Sequence, residues 1–144
     1  MQGKSVIKPN QPRLSRGQSL VEFALVLPVL LLLVLGTMDF ARLFSTKITL
    51  TNAAREGANY LSRHPDDAPG FSNTVKAINA EKDGLNLDNV TIFCPQDSDG
   101  CLQSSPVTVT LTRSVDLIFG GFLQTFGVIG GPIQLSSTVE MLVQ

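Results

Sequence analysis

Four groups of side chains in this sequence are of types that carry chemistry. The first is the pair Cys94 and Cys101, which bracket the loop CPQDSDGC with Pro95 and Gly100 inside it. Thiols this close in sequence either join as a disulfide in an oxidising compartment or supply part of a metal site. A tetrahedral zinc site needs four ligands, and the chain holds two cysteines and one histidine in all. A disulfide is therefore expected, with metal binding as the alternative. Closing so short a loop stabilises it by about 2–3 kcal/mol on loop-entropy grounds.

The second group lies within that loop. Asp97-Ser98-Asp99-Gly100 has acidic spacing like the opening of a calcium loop, but Cys101 follows and no Glu stands at the twelfth position. Asp, Ser and Gly there are sufficient as turn formers. The third group is His64-Pro65-Asp66-Asp67. Nucleophilic catalysis would need a base beside a nucleophile in a context such as G-x-S-x-G, which the chain lacks. His64 reads as a surface residue at a helix end, and Asp66 and Asp67 read as solvated loop charges. No enzyme activity, cofactor or metal site is expected.

The fourth is Glu22. It stands just inside an apolar run, Phe23 to Met38, of sixteen residues without a charge. With Leu20 and Val21 the run reaches nineteen positions, just long enough for a membrane helix, which takes about 17–25 residues. A carboxylate at the centre of such a span costs roughly 2.5–3.5 kcal/mol, less towards its end, and marks a function beyond anchoring.

The elements that must position Glu22 follow from charge and periodicity. Lys4, Lys8, Arg13 and Arg16 precede the run with no acidic residue among them. From Gln18 onward seven basic residues face twelve acidic ones, a net −5. A basic head before an apolar run stays cytoplasmic and sends the remainder across the membrane. The acidic body argues against nucleic acid as a partner. A cleaved secretory signal is the competing reading of the run, but no A-x-A site closes it.

Residues 1–17 form a leader rich in Pro, Gly and basic residues. Ser19 is placed as an N-cap, with Glu22 completing a capping box. Pro28 frees the carbonyl of Ala24 and should kink the helix. Past Asp39, Arg42, Ser45, Thr49, Asn52, Glu56, Asn59 and Arg63 recur at steps of three and four. Leu43, Leu50, Ala54, Ala58 and Leu61 fall on the opposite face, so the helix continues as an amphipathic element over 40–63. His64 to Gly70 ends it, and a shorter helix spans Asn73–Lys82, closing near Gly84.

The period then changes to two. Val90, Ile92 and Cys94, then Val107, Val109 and Leu111, then Ile133, Leu135, Val139 and Met141 alternate with polar residues. Three half-buried strands predict a small antiparallel sheet covered by the long helix. The fold class is α+β: leader 1–17, transmembrane helix 18–39, amphipathic continuation 40–63 and a small extracytoplasmic domain over 64–144. Between the second and third strands, VDLIFGGFLQTFGVIGGP is too apolar for an ordinary solvated loop. It reads either as a loop tucked over the sheet or as a partner surface.

A Gly, four residues, then Glu-Phe before a long apolar run resembles the processing site of type IV prepilins. RGQSLVEFALVLPVLLLLVLGTMDFAR resembles the N-terminus of TadE-like proteins, pseudopilins of the tight-adherence (Flp) pilus system. TNAAREGA, Thr51 to Ala58, is similar to a stretch at the end of their long helix, and VTVTLTR and the last strand are weakly similar. The resemblance implies that a prepilin peptidase cuts between Gly17 and Gln18, and that Glu22 serves assembly by pairing with the new amine at Gln18, one turn away. It also implies other pilins and membrane lipid as partners. The roughly 80 residues after Arg63 favour a minor pilin over the short major subunit. A TadF-like protein is the near neighbour of this reading. A signal-anchored extracytoplasmic binding module, neither processed nor assembled, is the alternative function, but gives Glu22 no purpose.

Overall fold

The computed structural model describes residues 16–125, 127 and 131–144. The greater part of the leader, including Lys4, Lys8 and Arg13, lies outside the described residues, as do Phe126 and residues 128–130 of the apolar segment. The chain divides into two compact units between Val34 and Leu35.

Helix α1, Arg16–Arg63, contributes to both. From Gln18 to Val34 its side chains are solvent-exposed, as in Leu20, Phe23, Leu25 and Leu33, each at least 60% exposed. An apolar helix with no buried face is not the core of a water-soluble fold, and this one is long and apolar enough to cross a membrane. Ser19 and Glu22 sit within α1, which is already helical at Arg16, so Ser19 does not serve as its N-cap. Pro28 lies inside the helix, which carries on past it.

The second unit is α+β. From Leu35 to Arg63, α1 lies along a three-stranded antiparallel sheet of β1 (Asn89–Phe93), β4 (Pro106–Val115) and β5 (Ile133–Leu142), in the order β1-β4-β5. The expected alternation holds. Val107, Val109 and Leu111 of the central strand are fully buried, and Val109 stands opposite Ile92 on one side and Val139 on the other. Leu50, Ala53, Ala54, Ala58 and Leu61 are the facing residues of α1, all fully buried. Most of these are small because the helix must approach closely: a Cβ at Gly57 would lie 2.5 Å from Ile78 Cγ1. The TNAAREGA stretch thus has a packing role in its Ala and Gly positions.

Helix α2, Ser72–Glu81, brings Thr74 and Ile78 into the same core, one residue earlier at each end than its periodicity suggested. Cys94 and Cys101 are joined, with Cα atoms 5.7 Å apart. Their loop is also a miniature hairpin of β2 (Gln96–Asp97) and β3 (Gly100–Cys101), which was not foreseen. Gly100, at φ 131°, has to be glycine: a Cβ there would meet the Pro65 carbonyl oxygen at 2.2 Å. The loop is therefore pressed against the turn that ends α1.

The apolar segment after β4 is not a plain loop, the first of the two readings of its sequence. It contains a helix, α3, Ile118–Thr125. Gly120 and Gly121 in its middle hid the helical spacing of its apolar residues, since glycine is a poor helix former.

Candidate functional site

Gly17, Gln18 and Glu22 occupy the start of α1, and all three are exposed. Gln18 and Glu22 are one helical turn apart, and the Gln18 Nε2 amide donates a long hydrogen bond of 3.4 Å to Glu22 Oε1. The carboxylate is therefore within reach of a donor carried at position 18. A Cβ built at Gly17 would meet nothing within 4 Å. No contact among the described residues demands glycine there, although glycine weakens a helix by about 1 kcal/mol relative to alanine.

At the other end of the apolar run, Asp39 is 95% buried, an unusual state for a carboxylate. Its two oxygens accept hydrogen bonds from the first two backbone N–H groups of α3: Ile118 N at 2.9 Å and Phe119 N at 2.7 Å. Those donors have no intrahelical acceptor, so a carboxylate is the natural partner for them. Sequence reading treated Asp39 as the mere end of the run. One signal was present, a lone acid directly after an apolar span, but its partner is 79 residues away and no local pattern links the two.

Beside Asp39 run two grooves. One, of about 300 Å³, is lined by Met38, Ala41, Arg42 and Ile118. The other, of about 430 Å³, is lined by Arg42, Ser45, Thr46 and the strand end Arg113 to Asp116. Arg113 Nη1 donates to the Asn86 carbonyl at 2.8 Å, its Nε is buried without a hydrogen-bond partner, and Asp116 lines the same groove.

Asp67 requires a correction. It is not a free loop charge: its carboxylate caps α2, accepting from the N–H and hydroxyl of Thr74 at 2.8 and 2.7 Å and from the N–H and side-chain amide of Asn73 at 3.2 and 3.1 Å. Partial burial pushes its pKa up, but the hydrogen bonds from Thr74 and Asn73 outweigh this and hold it below the ordinary carboxylate value. Asp66 and His64 are exposed, and His64 stacks on Tyr60 with ring centroids 4.4 Å apart. Among the described residues no three or more His, Cys, Asp or Glu side chains are grouped to hold a metal ion.

Residues 17–59 match the family model described as TadE-like protein. The match begins at Gly17, runs through Glu22, Asp39 and the small-residue stripe of α1, and stops short of the sheet. No curated protein and no solved structure matches the chain.

Proposed function

We propose that this chain is a membrane-anchored minor pilin of the tight-adherence (Flp) type, cut between Gly17 and Gln18 by a prepilin peptidase and assembled with other pilins through α1. The observation that carries the reading is the position of Gly17, Gln18 and Glu22 within the stretch matched to TadE-like proteins, at the head of an exposed apolar helix. Three physical arguments support it. Gly17 has no packing role among the described residues, so its identity answers to something that acts on the chain, as a peptidase site would. Scission at its carboxyl side creates an ammonium at Gln18, one turn from Glu22. In lipid, pairing that ammonium with a carboxylate on the same or a neighbouring subunit offsets the cost of burying Glu22 and sets axial register.

In this reading the N-terminus faces the cytoplasm, and the sheet domain with its disulfide lies on the oxidising side of the inner membrane. The role is structural rather than enzymatic. The test is the N-terminal residue of the chain after co-expression with a prepilin peptidase of a tight-adherence system. A terminus at Gln18, lost on Gly17→Leu, is the expected result. An intact leader, with the same peptidase active on another substrate, would overturn processing and leave a signal-anchored module as the better account.

A further inference from the structure

Resting only on the reading of α1 as a membrane span, we infer that the globular unit itself sits on the bilayer, with α3 lying in the lipid interface where the apolar run ends. From Leu20 to Met38 the run extends about 28 Å at ~1.5 Å per residue, close to the ~30 Å hydrocarbon core. Asp39 is the next residue, and the N-terminus of α3 is hydrogen-bonded to it. The start of α3 is thereby pinned at the depth where hydrocarbon gives way to headgroups.

The composition of α3 suits that depth. IFGGFLQT carries no charge, and Ile118 at its head is 43% exposed. Exposed apolar surface continues on α1 beyond the run: Phe40 is 71% and Phe44 59% exposed, and their rings stack at 6.3 Å. Phe44 lies about 7.5 Å past Asp39 at ~1.5 Å per residue, at the outer edge of the interfacial layer, which is about 5–7.5 Å deep on each side. The groove between Met38, Ala41 and Ile118 is apolar with one cation, Arg42, among its lining residues. That pairing fits a phospholipid, whose chain is apolar and whose phosphate attracts a guanidinium.

The hydrogen bonding of α3 belongs to the same argument. A helix start placed against lipid cannot leave its first N–H groups to water. Asp39 occupies both of its oxygens with such groups, which a helix start in open solvent would not require of a buried acid. The bilayer is therefore the occupant of this surface, continuous with the lipid around the span.

The chain has no tryptophan, so single introduced tryptophans report depth without background. The full-length chain is reconstituted into phosphatidylcholine–phosphatidylglycerol vesicles with or without brominated acyl chains. Leu30→Trp reads the span. Ile118→Trp reads α3, and Gly121→Trp reads it again at a site where an added Cβ meets nothing within 4 Å. Phe93→Trp reads the far end of the sheet, where Phe93 pairs with Thr108. The expected result is strong bromolipid quenching at position 30, clear quenching with blue-shifted emission at 118 and 121, and none at 93. Quenching at 30 without quenching at 118 or 121 would overturn the interfacial placement and leave the anchor intact. A blue shift at 118 that grows with protein-to-lipid ratio but resists bromolipid would overturn it in favour of a second copy. No quenching at 30 would remove the span, and this inference with it.

Discussion

Asp39 and Ile118 are 79 residues apart in sequence, yet the Asp39 carboxylate accepts the Ile118 backbone N–H at 2.9 Å and, through its other oxygen, that of Phe119. The last turn of the apolar run and the first turn of α3 are thus one structure. A helix cap of this kind, made by a residue outside the helix, contributes as a local N-cap does and is strengthened by its charge.

Asp39→Ala should accordingly destabilise the α3 region by about 1–2 kcal/mol, the range for loss of a helix cap. The amides of Ile118 and Phe119 should lose protection in hydrogen exchange, while those of β4 keep theirs. Asp39→Asn should fall between, since it keeps one acceptor oxygen but not the charge. Unchanged exchange at Ile118 in the alanine variant would refute the cap.

Glu22→Ala should leave membrane insertion intact and impair assembly with other pilins. Removing a carboxylate from an apolar segment favours insertion, so any defect must lie in what Glu22 contacts afterwards. Sedimentation of membranes checks insertion, and counting of surface pili checks assembly. Normal piliation would remove the role assigned to this residue.

Replacing both Cys94 and Cys101 by serine should cost about 2–3 kcal/mol from the loop term alone. Because the bridged loop packs on the turn after α1, loosening should extend to His64–Asp67, which limited proteolysis can read. A mass unchanged by reduction and alkylation in the native chain would contradict the bridge.

The Asp67 cap gives a pH dependence with a definite sign. Its folded pKa is depressed, so the stabilisation is fully present above the unfolded aspartate value near ~3.9 and is lost as pH falls through the lower folded value. Exchange at the Asn73 and Thr74 amides should accelerate, beyond the intrinsic pH trend, only below about pH 4. Asp67→Asn should abolish that acid step. An acid step that survives in Asp67→Asn would assign it to another group.

Gly57→Ala tests the close approach of α2 to α1. Its Cβ would lie 2.5 and 2.7 Å from two carbons of the fully buried Ile78 side chain. Overpacking of this kind costs about 1–3 kcal/mol, against a helix-propensity gain of at most ~1 kcal/mol. Ile78→Val in the same chain should recover part of the loss, as thermal unfolding can measure.

The long helix, the three strands and the disulfide were legible because each depends on local information: an apolar run, a change of period from 3.6 to two, and two cysteines in a turn-forming loop. The parts that were not legible depend on distant partners. Asp67 looked like a loop charge because the donors it serves are six and seven residues on, beyond the usual capping offset. α3 was hidden by Gly120 and Gly121, and it is held as a helix from outside, by Asp39. At the N-terminus Gly17, Gln18 and Glu22 were singled out by their spacing together with the basic leader, the apolar run and the resemblance to prepilin processing sites. Their proposed role rests on those features, since a Cβ at Gly17 would meet nothing within 4 Å.

The packed half of α1 is fastened at both of its ends. Asp39 is tied to α3 at one, and at the other the Ser62 carbonyl accepts the Gln144 N–H at 3.0 Å, just after the last strand. In mechanical terms, a pull arriving along α1 does not peel the sheet from the helix one contact at a time. The load is shared by the two end attachments, by the hydrogen bonds that Lys47 and Thr51 make to Ser136 and Ser137 of β5 between them, and by the small-residue contact, so these must shear together. Resistance to such loading grows with the number of contacts broken together, so the domain is fastened to its helix in the manner of a lap joint rather than a zip.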